Sequence, residues 1–360
     1  MPVVPNETRV PYMHRVESLD WQRGLLALSI MIYHLLFWHG EITTASSVIG
    51  RLGIYAVSMF FVLSGLSMAI TYERYELTIK NAIQFYIRRI FRIWPLLWLA
   101  IFAVTAKSLI LKEDGISTYK IILNLTTAFG FIEPSAYLNT GAWSIGNEIA
   151  YYALTPFILV AYRKSVFFGN LLTLASIAIG IFYAFELITP ALTLEAQWKI
   201  YIHPSNNLFF YMMGIAIYYN CNTPPPQLLM ATTCILLTAC IFVITPSTES
   251  DSTIVTGLNR IIFSATSVFM VFGFFKLPPI LPVSIAYPLE RLGVITYGVY
   301  LLHPIVNSAT TMLLVKLNWQ LMTSTTIVVI SLLTIMVANI AYEVIEKPMI
   351  KLGKNLTPNR

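Results

Sequence analysis

The chain has 360 residues, of which 57% are hydrophobic and only 11% charged, with a formal net charge of +6. Soluble domains carry about 25% charged residues, so this supply could not cover the surface of a water-soluble protein of this length. A soluble enzyme, a disordered chain and a disulfide scaffold therefore fit poorly, and the basic balance points to lysine and arginine retained at the inner face of a membrane rather than to nucleic acid.

Apolar runs of about 15–25 residues, separated by short polar gaps, predict an all-α polytopic membrane protein with about ten transmembrane helices. They lie near 21–39, 52–72, 92–111, 143–162, 166–186, 206–220, 228–245, 260–275, 294–315 and 322–345. The apolar stretch near 119–132 is short for a crossing and is expected to be interfacial or re-entrant. The first residues are polar and include Glu7, Arg9, Arg15 and Glu17, so no cleaved signal peptide is expected. With the N-terminus inside, Arg74, Lys80, Arg88, Arg89 and Arg92 fall in the second connection, Arg163 and Lys164 in the fourth, and Lys347, Lys351, Lys354 and Arg360 in the tail. All are then cytoplasmic, while Glu249 and Asp251 lie outside. Counting 119–132 as a span would put the basic tail outside, so both termini are expected in the cytoplasm. No internal repeat is visible, and the tail is too short for an appended soluble domain, which leaves one membrane domain over 1–360. Cys221, Cys234 and Cys240 have spacings that fit no zinc or redox motif, and no metal is expected.

In so apolar a chain the ionisable groups inside spans are informative, because each costs roughly 2.5–3.5 kcal/mol unless it is partnered or faces water. In the first span Arg23 and His34 are eleven residues apart. At about 100° and 1.5 Å per residue they share one helix face, with His34 roughly 16 Å deeper. His34 is either functional or a structural histidine bonding a neighbouring helix. His39 lies about 140° around from it, so the two form no metal pair. The run Arg88-Arg89-Ile90-Phe91-Arg92-Ile93-Trp94-Pro95 opens the third span. Arg89 and Arg92 share a face at i, i+3, with Arg88 at i, i+4 to Arg92. Such arginines suit a phosphate-bearing ligand through forked hydrogen bonds, or serve as topology anchors. Glu148 opens the fourth span, with Ser144, Tyr151 and Tyr152 at helical spacing in one polar stripe. It is a candidate acid/base, substrate ligand or partner for a buried cation. His303 stands in the ninth span, and Glu343 and Glu346 flank the end of the last.

Leu19-Asp20-Trp21-Gln22-Arg23-Gly24 with His34, Phe60-Phe61-Val62-Leu63-Ser64-Gly65, the arginine run with Trp94-Pro95, Trp143-Ser144 through Glu148 and Tyr152, Tyr297 through His303, and Glu346-Lys347-Pro348 occur in that order. Together they resemble the acyltransferase 3 family of membrane acyltransferases along nearly the whole chain. The resemblance implies transfer of an acyl group, usually acetyl, from cytoplasmic acyl-CoA to a hydroxyl of a carbohydrate or lipid-linked acceptor, in the inner membrane of a bacterium. It further implies His34 as the catalytic residue paired with Arg23, and Arg89 and Arg92 as holders of the CoA phosphates, with Arg88 beside them. Glu148 would orient the imidazole or bind sugar hydroxyls, and Ser144, Tyr152 and His303 are candidate substrate contacts. A direct transfer with His34 as general base and an acyl-histidine route are both open. The acceptor class implied is surface polysaccharide such as the O-antigen of lipopolysaccharide, exopolysaccharide or capsule. The rival reading is a secondary transporter, in which the same arginine, histidine and glutamate form a substrate or proton path.

Overall fold

The computed structural model describes residues 16–358 except 74, 75, 77, 113, 114 and 222–226. Arg74, Arg360 and the charged residues before position 16 therefore lie outside the described residues. Among the described residues the chain is all helical. Its helices are α1 (Glu17–Trp38), α2 (Val48–Tyr72), α3 (Ile79–Leu111), α4 (Thr118–Leu125), α5 (Phe129–Ile132), α6 (Trp143–Lys164), α7 (Val166–Phe182) and α8 (Trp198–Tyr201). They continue with α9 (Pro204–Cys221), α10 (Leu228–Ile244), α11 (Gly257–Lys276), α12 (Val283–Val294), α13 (Thr296–Lys316), α14 (Thr323–Ala341) and α15 (Lys347–Leu356).

Every predicted span falls on a long helix, and Ser47, Thr78 and Ser165 start three of them by accepting the amides of Gly50, Asn81 and Phe168 at 3.0, 3.2 and 3.3 Å. Among the described residues six helices are long and apolar enough to cross a membrane: α2, α3, α7, α11, α13 and α14, the last running on into α15. Of the other four predicted spans, α10 has only 17 residues. In α1, α6 and α9 the apolar residues are diluted by polar ones, among them Arg23 and His34, Asn147 and Glu148, and Asn206 and Asn207. The 119–132 stretch forms α4 and α5, separated by Thr127 in the left-handed region at φ 57°. Neither piece is long enough to cross, and α5 packs through Gly130 against Gly146 at the start of α6.

Three elements depart from the sequence reading. Helix α3 begins at Ile79 rather than near 92, so Lys80, Arg88, Arg89 and Arg92 are helical residues and not part of a loop. A π-helical turn at Tyr342–Glu346 joins α14 to α15, so Lys347, Lys351 and Lys354 sit on a helix and not on a tail. Helix α12 is an addition. These segments are amphipathic, and a search for apolar runs passes over them because charges interrupt every run.

Helix α2 is the most enclosed of the six apolar helices. Helix α9 crosses it so closely that a Cβ on Gly65 would collide with the Tyr211 carbonyl, and one on Gly214 with the Val62 carbonyl. Small residues let backbones meet where lipid supplies no hydrophobic drive between helices. Gly24 and Gly293 do the same where α1 meets α12. Arg51, 4% exposed, donates to the Phe242 and Val243 carbonyls at 2.7 and 2.8 Å, placing a cation at the C-terminal end of α10 where the helix dipole favours it.

Gly214→Ala should force α2 and α9 apart. Overpacking costs about 1–3 kcal/mol, so the variant is expected to unfold several degrees lower in detergent. An unchanged Tm would show that the crossing has slack.

Candidate active site

A cavity of about 460 Å³ opens between α1, α2, α3, α6, α12, α13 and α15. Arg23 of α1 and Arg88, Arg89 and Arg92 of α3 all line it. The sequence placed the first of these 65 positions from the nearest of the others (Arg23 to Arg88), and the packing of α1 on α2 and of α3 on α13 and α15 brings them to one cavity. Lys354 of α15 lines the same cavity. It is a fifth cation that sequence reasoning took for a topology anchor, because nothing local says that α15 folds back onto α3. Gly353 packs against Phe91, and Arg88 donates to the Thr357 hydroxyl at 2.8 Å and the Thr357 carbonyl at 2.5 Å, which ties the two helices together.

The cations are held to different degrees. Arg23 is paired with the buried Asp20 at 2.6 Å and also donates to the Ser67 hydroxyl. Arg89 donates to the Tyr72 hydroxyl at 2.9 Å and lies 5.5–5.8 Å from the ring centres of Tyr72, Phe85 and Tyr152, while its Nε has no hydrogen-bond partner. Arg92 is exposed to the cavity. The arrangement leaves forked donors facing a space of small-ligand size, which is the chemistry that grips phosphate groups.

Farther along the cavity Glu148 accepts hydrogen bonds on one oxygen from Ser64, at 2.7 Å, and from Tyr152. Tyr152 in turn lies over Arg89, so the carboxylate and the guanidinium share one aromatic intermediary. Ser144 is bonded to the Gly141 carbonyl at 3.0 Å and to Tyr300 at 2.8 Å. Tyr151 does not belong to this group: it turns away and donates to the Pro204 carbonyl at 2.8 Å, so the four-residue polar stripe expected on α6 is a three-residue one. The reason is packing, since Tyr151 is 1% exposed among Phe61 and Tyr211.

His34 does not line this cavity. Its Nδ1 lies 3.0 Å from Nε2 of His303, and Nδ1 of His303 lies 3.1 Å from the Val299 carbonyl. A carbonyl only accepts, so His303 carries its proton on Nδ1 and, when neutral, offers a lone pair on Nε2. His34 then donates from Nδ1 and keeps a lone pair on its own Nε2. The two imidazoles stack with Trp38 at centroid distances of 5.1–5.7 Å. One turn on, His39 bonds Asn307 at 3.0 Å, a second link between α1 and α13. Glu148 is not a partner of His34: it bonds Ser64 and Tyr152 through Oε1, while His34 bonds His303. Tyr300 and Phe60 line the cavity, and Tyr300 lies 6.2 Å from the His303 ring, so the histidine pair stands beyond that end of the space. His303 read alone as a structural residue or a substrate contact, and its partner 269 positions away had no local signal. Glu343 is paired with Arg291 and Lys347 at 2.9 and 2.6 Å, and Glu346 is buried at the π-turn.

A family profile described as an acyltransferase domain matches residues 16–343. A protein of the Acidianus two-tailed virus, provisionally named an acetyltransferase, is 26% identical over 283 residues, 78% of this chain and 80% of that protein. A Staphylococcus aureus protein provisionally named an O-acetyltransferase is 26% identical over 54% of this chain, which covers 28% of its length. The peptidoglycan O-acetyltransferase OatA of Listeria monocytogenes is 26% identical over 56% of this chain, which covers 33% of its length. The chain therefore spans most of the viral relative but at most a third of the two bacterial ones. No solved structure gives a significant match.

Arg88→Gln should release α15 from α3, and amide exchange across 347–356 is expected to quicken in the full-length protein. Exchange at the wild-type rate would mean that Gly353 packing alone holds the helix.

Proposed function

The chain belongs to the acyltransferase 3 family, and from that premise we propose that it is a membrane O-acetyltransferase that moves an acetyl group from cytoplasmic acyl-CoA to a hydroxyl of a cell-envelope carbohydrate. The observation that carries this reading is the cavity, which Arg23, Arg88, Arg89, Arg92 and Lys354 all line, with the histidine pair next to its Tyr300. Acyl-CoA is a polyanion with a long neutral arm ending in a thioester. The cations suit its phosphates, and the arm would extend past Glu148 and Tyr152 towards His34. A carbohydrate acceptor is favoured by the name of the listerial relative. A secondary transporter would not account for the family match.

In the proposed reaction Nε2 of His34 takes the proton from the acceptor hydroxyl as that oxygen attacks the thioester carbonyl. The new C–O bond forms, the C–S bond breaks, and the departing CoA thiolate takes the proton back from the imidazolium. His303 holds the proton on Nδ1 of His34 and so keeps the lone pair on Nε2, the orienting task that a carboxylate performs in a serine protease triad. The cell membrane, with the donor site open to the cytoplasm and both termini on that side, is the location this reading requires.

His34→Ala should abolish acetyl transfer while the protein still inserts and folds; near-wild-type turnover would remove His34 from the mechanism. His303→Leu, which removes the acceptor, should lower kcat by about 10–100-fold, the worth of one hydrogen bond to the imidazolium that forms, with KM for the donor unchanged. Arg89→Ala and Arg92→Ala should each weaken acetyl-CoA binding about tenfold, since one hydrogen bond to a charged group is worth at least that much. Calorimetry on purified protein reads this, and dissociation constants unchanged from the wild type in both variants would reduce these arginines to topology anchors.

A further inference from the structure

A second space, sharing no lining residue with the first, runs between α7, α9 and α11 and encloses about 470 Å³. Its walls are almost wholly apolar, with Ile181, Met213, Val268 and Phe272 among them. Along α11 it extends from Arg260 to Phe272, about 18 Å at 1.5 Å per residue. That is close to the hydrocarbon depth of one leaflet, half of about 30 Å.

One end of the groove is not apolar. Arg260, in the first turn of α11, is 3% exposed and has the rings of Tyr55, Tyr201, Phe209 and Phe210 around its guanidinium at 5.1–5.9 Å. Its Nη2 donates to Asn207 at 3.1 Å, while Nη1 has no hydrogen-bond partner, and no carboxylate is paired with it among the described residues. Ser264, one turn along the same helix face, also borders the groove with its hydroxyl unpartnered. Aromatic faces soften the burial of a cation but leave its charge and the Nη1 donor unanswered. Two idle donors at the head of an apolar slot one leaflet deep ask for an amphiphile with an anionic head and an extended chain.

We propose that this groove binds an anionic glycerophospholipid, one acyl chain lying between α7, α9 and α11 and the phosphate taken by Arg260 and Ser264. An arginine fork matches phosphate oxygens, and the first turn of a spanning helix lies at the depth where lipid phosphates sit. The bound lipid would fasten α7 and α11 to α9, and α9 is the helix whose glycine crossing holds α2 in place.

The test is native mass spectrometry of delipidated full-length protein titrated with phosphatidylglycerol and with a diacylglycerol of the same chains. The wild type should bind phosphatidylglycerol at least about tenfold more tightly, the contribution of one charge-assisted hydrogen bond. Arg260→Gln should erase that preference. Ala265→Trp, at an exposed groove position, should block both lipids while leaving Arg260 intact, and it decides the matter if Arg260→Gln does not fold. Equal binding of the two lipids by the wild type, or an unchanged preference in Arg260→Gln, overturns the phosphate site. Unchanged binding by Ala265→Trp overturns the chain site and marks the lipid as annular. A polyprenyl phosphate that displaces phosphatidylglycerol and binds more tightly would replace the phospholipid by a lipid carrier.

Discussion

A polar group inside a bilayer cannot borrow a hydrogen bond from solvent, so it is least costly where a partner on another helix or a cavity meets it. The placement of the interior helices follows from that demand. Arg23 reaches Ser67 on α2 and Glu148 is met by Ser64 on α2, while His34 is met by His303 on α13. Each bond spans two helices, and together they bind α1, α6 and α13 into one group with α2. Of the polar residues that make α1, α6 and α9 less apolar than the others, Arg23, His34, Glu148 and Asn207 each bond another helix, whereas Asn147 has no side-chain hydrogen-bond partner.

Close backbone approach makes those bonds reachable. The α2–α9 crossing depends on Gly65 and Gly214, and Gly65 directly follows Ser64, the residue that bonds Glu148. Residues that look like a glycine motif and a serine motif in the sequence are thus one device: the glycine sets how deep α2 sits, and the serine uses that depth. On the other side of α9 the helices part, leaving the apolar groove headed by Arg260. The molecule thereby holds two spaces of similar size and opposite chemistry, one rich in cations and one nearly devoid of polar groups.

The proposed division of labour follows the same geometry. Cations gathered at one end of a cavity suit the highly charged part of a donor, and a neutral imidazole pair beyond the other end suits proton transfer near the middle of a membrane, where a free carboxylate would be costly. Using a second histidine in place of an aspartate to hold the tautomer avoids burying a charge. Its own proton is directed to the Val299 carbonyl, four residues earlier on the same helix.

From the sequence alone came the membrane setting, the helical class, the approximate place of every long helix and the residues Arg23, His34, Arg88, Arg89, Arg92 and Glu148. Apolar runs and misplaced charges are local signals, and solvation energy reads them residue by residue. The tertiary structure alone decided that α3 extends back to Ile79, that α15 folds onto it to bring Lys354 to the cavity, that Tyr151 leaves the polar stripe, and that Glu148 belongs to Ser64 and Tyr152 rather than to His34. It also decided that His34 has His303 for a partner. The amphipathic pieces were hidden because their charges break the apolar pattern. The partnerships were hidden because a hydrogen bond between residues 84 or 269 positions apart leaves no trace in the spacing of either one.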